Sequence, residues 1–418
     1  MLVEPWLLRA ARRRPRHEAL RTGDRSLDYA TLAAAARRVA GGLPEPGAWV
    51  GLAMAPGAEF AIALHACLLR GTPAVPIDPR LGARARELLA ARCTVVLDEL
   101  PDGPSFEVSG HDLEATAIVV HTSGTSGEPK PIELTYGNWL WSALGAHVSM
   151  GLRDDERWLC TLPLSHVGGL SILLRSAVYG TTAIVHERFD VDRVLAALRA
   201  DTTVVSLVPT TLARLLDAGL TSPPALRAAL IGGAPIPAAL LERAAAAQVP
   251  TMETYGLTET CSQITTNGRP LFCARVAVSA DGGIMVGGPT VAPAALGDGG
   301  WLATGDLCVL DEGILRVTGR KSDTIVTGGE NVAPAEVEAV LATHPAVEDV
   351  GVHGRDDPEW GEAVVATIVL REGAQATPAE LAEHCRARLA TYQVPKAFAF
   401  AETLPRTPSG KLLRRELA

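Results

Sequence analysis

The amino-acid sequence points to an α/β protein with a large N-terminal domain followed by a smaller α+β domain. Three features say so. From Tyr29 to about Gly283, short apolar runs alternate with Ala- and Leu-rich helical segments, the pattern of parallel strands joined by crossover helices. Near Gly283 the texture changes to short segments rich in Gly and Asp, as in a small antiparallel subdomain. Beyond Arg320 a fresh alternation of helix and strand begins, so the expected domains are 1–319 and 320–418.

Taken in order, Tyr29 to Ala40 is Ala-rich, reads as a helix and is closed by Gly41-Gly42, glycine being the commonest residue just past a helix end. Val50 to Met54 reads as a strand, Glu59 to Arg70 as a helix, and Ala74 to Ile77 as a strand stopped by Asp78-Pro79. The apolar run Ala117 to Val120 is a buried strand bounded by turn residues. Helix Asn138 to Val148, strand Trp158 to Leu162, helix Gly169 to Val178, strand Thr203 to Val208, helix Pro209 to Ala218 and strand Ala228 to Ile231 continue the alternation. In the second domain Pro334 suits the first position of a helix running to about Thr343, with Val337, Val340 and Leu341 on one face. Val350 to Val352, Ala363 to Leu370 and Ala397 to Phe400 read as strands, with a helix from Pro378 to Ala390 between the last two.

A chain of 418 residues can hold two or three domains with a substantial core. Its 47% hydrophobic and 20% charged content is that of an ordinary globular protein. A net charge of −9 argues against nucleic acid as a partner, because such a face needs clustered cations. The basic run Arg9 to Arg16 lies on a short amphipathic segment that starts at Trp6 and is broken by Pro15, so it reads as a solvated helix face and not a targeting signal. No apolar stretch reaches the roughly 18 residues that span a bilayer. Seven cysteines without a C-x-x-C pair read as reduced thiols of a cytoplasmic protein, not a disulfide frame or zinc site.

The stretch His121-Thr122-Ser123-Gly124-Thr125-Ser126-Gly127-Glu128-Pro129-Lys130 follows the Ala117 to Val120 strand. Its glycines allow positive φ and close backbone approach, its hydroxyls and N–H groups form an anion-binding concavity, and Lys130 adds a mobile positive charge. A phosphate ligand is the natural inference. The spacing differs from a Walker loop, from G-x-G-x-x-G and from G-x-S-x-G. It resembles the phosphate-binding loop of adenylate-forming enzymes, the superfamily of acyl-CoA ligases, luciferases and adenylation domains. Ser126 and Pro131 depart from that pattern; serine keeps the hydroxyl, whereas Pro131 removes an N–H just after the lysine.

Further motifs follow in the superfamily's order. Tyr255-Gly256-Leu257-Thr258-Glu259 matches Y-G-x-T-E. The resemblance implies that Tyr255 and Gly256 line the purine, Thr258 bonds a phosphate oxygen and Glu259 ligates Mg²⁺. Gly232-Gly233-Ala234 resembles the backbone on the other face of the adenine. Trp301 to Asp306 and Gly319-Arg320 resemble the elements whose Asp306 and Arg320 hold the ribose. The tail Leu404 to Arg414 resembles P-x-x-x-x-G-K-x-x-R, which makes Lys411 the expected catalytic lysine, with Thr258 and His166 beside it. Gly319 to Ile325 resembles the hinge of a mobile C-terminal domain, with Ser322 as hinge residue and Gly328-Gly329 on the path of a pantetheine arm. These resemblances imply ATP, Mg²⁺ and coenzyme A acting with a carboxylic acid. They are compatible with a homodimer, a state the sequence leaves open. The stretch Gly288 to Gly300 looks shortened beside the superfamily's pattern.

The acid is addressed by Leu162 to Arg175. No Asp stands near Ser165-His166 to pair with a substrate amine. Arg175 suits an acid with a second carboxylate, and Gly168, Gly169 and Gly256 leave room for a ring. With Ser262 and the Ser322 hinge, the stretch resembles acyl-CoA ligases of menaquinone biosynthesis. That implies a keto acid with an aromatic carboxylate, activated at its aliphatic one. Another aryl- or acyl-CoA ligase, or an adenylation domain loading a carrier protein, remains open at this point.

Overall fold

The computed structural model describes residues 1–23, 25–123, 129–151, 153–406 and 412–417. Gly124, Thr125, Ser126 and Gly127 of the expected phosphate loop, and Lys411, lie outside the described residues. The chain divides into two compact units. The first comprises Met1–Gly233, Glu242–Val276 and Val286–Leu302; the second comprises Ala234–Leu241, Ala277–Met285 and Ala303–Ala418. Arg320, the expected boundary, is thus inside the second unit, as the last residue of a strand.

The first unit is built on two large sheets, beside a small antiparallel pair of Leu2–Val3 with His111–Asp112. The larger has nine strands in the order Arg269–Pro270, Ser262–Thr266, Thr251–Leu257, Ala228–Ile231, Val204–Leu207, Arg157–Cys160, Thr182–Val185, Glu18–Thr22 and Arg25–Asp28. From Thr251–Leu257 across to Glu18–Thr22 the pairing is parallel, as the alternating pattern predicts. Arg157–Cys160 sends the chain first to Thr182–Val185 on one side and then to Val204–Leu207 on the other. That reversal is a switch point, and open α/β sheets bind ligands outside the carboxyl ends of strands there.

The smaller sheet orders Val95–Leu97, Val50–Leu52, Ala74–Pro76, Thr116–Ser123 and Pro129–Thr135. Helix Ala58–Arg70 is buried on nearly every face, in keeping with its unbroken apolar run. Strand Pro129–Thr135 was not foreseen, since prolines at 129 and 131 argue against a strand. It tolerates them because it is the edge strand, where a missing N–H breaks no ladder.

Trp6, Leu7 and Ala10 of helix Trp6–Arg13 are buried. The basic run is not wholly solvated: Arg14 donates to Asp154 O at 2.6 Å and Gly180 O at 2.9 Å, capping the carboxyl end of helix Val167–Tyr179. Two buried histidines sit close by. His111 stacks on Tyr136 with centroids 4.5 Å apart, Trp6 meets its edge at 5.0 Å, and His65 is enclosed in the Ala58–Arg70 helix.

In the second unit, strands Leu302–Asp311 and Ile314–Arg320 form an antiparallel hairpin. A five-stranded sheet follows: Glu330–Val332, Ile325–Thr327, Gly361–Leu370 and Val347–Asp357, with Ala397–Phe400 parallel to Gly361–Leu370. Helices Pro334–Leu341 and Pro378–Arg386 bury Val337, Leu341, Leu381 and Cys385 against it. The strand expected at Val350 to Val352 extends over Val347–Asp357, its charged end continuing the hairpin. All seven cysteines are free; six are buried and Cys93 is half-buried. No helix among the described residues is long and apolar enough to cross a membrane.

Candidate active site

Within the first unit, Gly232, Gly233, Tyr255, Gly256 and His166 lie at or beyond the carboxyl ends of strands Ala228–Ile231, Thr251–Leu257 and Arg157–Cys160. Strand Ala228–Ile231 ends in Gly232-Gly233 beside Thr254 and Tyr255 of Thr251–Leu257. A Cβ on Gly232 would fall 2.4 Å from Thr254 Oγ1, and Gly233 has φ +80°, so this turn demands glycine. Gly256 is as constrained, since a Cβ there would lie 1.6 Å from Ser262 O. The close approach comes with a bulge between Tyr255 and Gly256 in the pairing with Ser262–Thr266. Cys261 and Ser262 complete the corner with φ +53° and +85°.

Thr258 and Glu259 occupy the short 3-10 turn Thr258–Thr260, both half-exposed. The turn is pinned by Leu257 N donating to Thr260 Oγ1 at 2.9 Å and by Ala292 N donating to Glu259 O at 2.7 Å. No ion pair engages the Glu259 carboxylate among the described residues. No cluster of three potential metal ligands occurs among them either. A single carboxylate nonetheless fits Mg²⁺, which takes one or two from protein and the rest from phosphates and water.

The hairpin of strands Thr116–Ser123 and Pro129–Thr135 sets Thr122 opposite Lys130 and Ser123 opposite Pro129. Lys130 is exposed. His121, one pair further in, buries both ring nitrogens without a hydrogen-bond partner among the described residues. Burial, assisted by Arg92, holds its pKa down at about 4.

His166 is the residue before helix Val167–Tyr179, and its carbonyl accepts from Leu170 N at 3.0 Å. Gly169 packs so tightly that a Cβ would lie 2.3 Å from Pro163 O; at Gly168 the nearest atom would be Leu162 Cδ1 at 3.2 Å. Beside this turn sits Asp78, 7% exposed, which sequence reasoning did not single out. Asp78 accepts from Arg80 N and Nε at 2.9 Å, from Arg80 Nη2 at 2.7 Å and from Ser165 Oγ at 2.8 Å. Burial alone would raise its carboxyl, but these donors outweigh it and hold the pKa at about 2. Burial lowers the His166 imidazole, with Asp78 pulling it up and Arg80 pushing it down.

Arg175 is 3% exposed. Its Nη2 donates to Ser142 Oγ at 3.0 Å and its Nη1 to Gln263 Oε1 at 3.4 Å, and its guanidinium carbon lies 5.7 Å from the Trp158 ring centroid. Gln263 is paired with Gly256 across the hairpin, so Arg175 stands behind the Gly256–Ser262 corner. No carboxylate pairs with it among the described residues. Burial disfavours its charge and lowers its pKa.

The remaining expected residues belong to the second unit, Ala234 among them. Asp306 and Arg320 face each other across the hairpin, and Arg320 Nε donates to Asp306 Oδ1 at 2.6 Å. Thr304 Oγ1 fixes the Asp306 backbone by accepting from its N–H at 3.1 Å. Ser322 lies in the 3-10 turn Lys321–Asp323 and donates to Asp323 Oδ1 at 2.9 Å. Gly328 and Gly329, at φ +59° and +85°, form the two-residue turn between Ile325–Thr327 and Glu330–Val332, where two left-handed residues match the strand twist.

The sequence matches the AMP-binding enzyme family over residues 7–99 and 97–293, and the AMP-binding enzyme C-terminal domain over 336–411. It is 37% identical to 2-succinylbenzoate–CoA ligase of Bacillus subtilis, covering 100% of this chain and 98% of that one. It is 36% identical to the Bacillus licheniformis counterpart, covering 99% and 98%. The first alignment runs over 479 positions although this chain has 418 residues, so the chain is shortened internally. Among solved structures it resembles o-succinylbenzoate CoA synthetase (MenE) from Bacillus subtilis in complex with the acyl-adenylate OSB-AMP, with a TM-score of 0.93, 35% identity and coverage of 100% and 98%. The same enzyme with ATP and magnesium gives 0.92, with both chains wholly covered. ATP-bound MatB from Rhodopseudomonas palustris gives 0.89 at 26% identity, covering 98% and 97%.

Proposed function

Because the chain belongs to the AMP-binding enzyme family, we propose that it joins o-succinylbenzoate to coenzyme A at the expense of ATP, releasing AMP and pyrophosphate. A carboxylate oxygen of the acid attacks the α-phosphorus and pyrophosphate leaves. The thiol of coenzyme A then attacks the acyl carbonyl, AMP leaves, and the thiol proton is released. The reading draws on the likeness to 2-succinylbenzoate–CoA ligases along the whole chain. The observation that carries the choice of acid is Arg175, a buried guanidinium with no carboxylate partner among the described residues. Such a group is costly to bury alone and is matched by an anionic ligand.

In this reading Thr122, Ser123, Gly124, Thr125, Ser126, Gly127 and Lys130 hold the phosphates. Gly232, Gly233, Ala234, Tyr255 and Gly256 flank the adenine, and Asp306 with Arg320 takes the ribose. Thr258 positions an α-phosphate oxygen, and Glu259 holds Mg²⁺, which when bound neutralises charge on the phosphates. His166, Gly168, Gly256 and Ser262 line the acid, with Arg175 opposing its aromatic carboxylate. Lys411 stabilises the charge that develops during adenylation and is delivered by residues 320–418 turning about Ser322. Gly328 and Gly329 then line the thiol's path. Seven free thiols suit the cytoplasm.

The test is a panel of carboxylic acids incubated with ATP and coenzyme A, with the thioester identified by mass. o-Succinylbenzoate should give the highest kcat/KM without any carrier protein. Preference for a monocarboxylic acid, or a requirement for a carrier, would reject this substrate.

A further inference from the structure

The segment that carries Lys411 is flanked in the chain by two arginines, and both are held by carboxylates. Before it, Arg406 Nη2 lies 2.8 Å from each oxygen of Asp349, in strand Val347–Asp357. After it, Arg414 Nη2 lies 2.9 and 2.7 Å from the two oxygens of Glu338, in helix Pro334–Leu341. Arg414 also donates from Nε to Val352 O and from Nη1 to Asp323 Oδ2, each at 3.2 Å.

Backbone and packing reinforce the two ion pairs. Arg406 and Leu412 are bridged antiparallel, and Leu413 N donates to Pro405 O at 2.9 Å. Leu412 and Leu417 press on Gly351, where a Cβ would come within 2.9 Å of Leu417. Glu338 accepts a further 2.8 Å bond from Val352 N. Burial raises its carboxyl, so Arg414 is the cation that favours its ionised form.

Asp323 gives the arrangement its direction. It closes the turn Lys321–Asp323 and accepts from Ser322 Oγ. One guanidinium therefore ties three things together: the turn holding the expected hinge, the helix after it, and the chain three residues past Lys411. Only a planar fork with donors on several edges can reach these acceptors at once; an ammonium cannot.

We propose that Arg414 is a positioning residue for adenylation, locking the chain just past Lys411 to the Ser322 turn. The inference rests on the reading that Lys411 serves adenylation. A reacting group misplaced by about 1 Å can lose about 100-fold in rate. The thioester step, which does not use the lysine in this reading, should be spared.

The experiment uses the full chain with Lys411→Ala, Arg414→Gln and Arg414→Lys. It measures pyrophosphate release from acid and ATP, thioester formation from preformed acyl-adenylate and coenzyme A, and the Tm. Arg414→Gln should lower kcat for adenylation by about 100-fold while KM for ATP and the thioester rate stay within about threefold. Arg414→Lys keeps Glu338 paired, so it should keep the Tm, yet it loses the reach to Asp323 and should slow adenylation about tenfold. Should Arg414→Gln fail to fold, the lysine variant alone decides. Unchanged adenylation, or equal loss of both half-reactions, overturns the role of Arg414 provided Lys411→Ala loses adenylation selectively. If Lys411→Ala itself is not selective, it is the assignment of the lysine that falls.

Discussion

Ser165 Oγ donates a 2.8 Å hydrogen bond to Asp78 Oδ2, joining the carboxyl ends of strands in two different sheets. The turn that presents His166 is thereby fixed to a carboxylate whose other donors among the described residues come from Arg80. Asp78→Ala removes the acceptor of this whole set, so that Ser165 and Arg80 both lose their bonds to it. We expect kcat/KM for the acid to fall by about 30-fold, mostly through KM, with a loss of ~2 kcal/mol in stability. Asp78→Asn, which still accepts from Ser165, should recover part of the KM. Steady-state kinetics and urea unfolding of both variants check this.

Arg175→Met replaces a buried cation by an apolar chain of similar length. Its hydrogen bonds are to neutral partners, Ser142 and Gln263, so the fold should tolerate the change to within ~1–2 kcal/mol. For a diacid the KM should rise by about 30-fold or more, while the KM for ATP stays put. Equal KM for the diacid in both proteins would remove Arg175 from the acid site.

Glu259→Gln should raise the Mg²⁺ concentration needed for half-maximal adenylation by about ten- to hundredfold. Chelation by EDTA should abolish pyrophosphate release in the parent protein, and added Mg²⁺ should restore it. The turn Thr258–Thr260 is held by backbone and Thr260 contacts, so the Tm should hardly change.

Stability should fall in mild acid. Burial holds His65 at about 4 and His111 at about 3, with His65 also disfavouring charge on His111. Both groups are depressed bases, so the unfolded chain, titrating near 6.5, binds protons first. Their contribution is fully present above about pH 6.5. It is lost as pH falls towards the folded values, at about 1.4 kcal/mol per pH unit for each histidine. Urea melts from pH 7.5 to 5 should show that slope, and His65→Leu should flatten it.

Much of the fold was legible because it is written locally. Gly232-Gly233 mark the turn that Thr254 crowds, and Pro334 opens its helix where expected. Parallel strands between helices announced the sheets, the Tyr255–Glu259 motif led to a strand end and a short turn, and Trp301–Asp306 opened the strand Leu302–Asp311. What stayed hidden depends on partners far apart in the chain. Asp78 meets Ser165 across 87 residues, and Arg414 meets Glu338 across 76. No periodicity encodes such pairings. Strand Pro129–Thr135 was concealed by its own prolines, which only its edge position excuses. The burial of Arg175 was equally invisible, since its cover comes from the Tyr136–Met150 helix and the Ser262–Thr266 strand.

The seven buried or half-buried cysteines have a practical consequence. Desolvation pushes every one of these thiols up: Cys93 and Cys385 to about 11, Cys67 and Cys160 to about 12, and Cys261, Cys273 and Cys308 in the same direction. At neutral pH almost no thiolate is on offer to a maleimide. A pair of cysteines engineered onto the surface, one in Met1–Gly233 and one in Ala303–Ala418, would take fluorophores in preference to the native seven. Single-molecule distance traces of the catalytic cycle can therefore be recorded on a chain that keeps all its own sulfur.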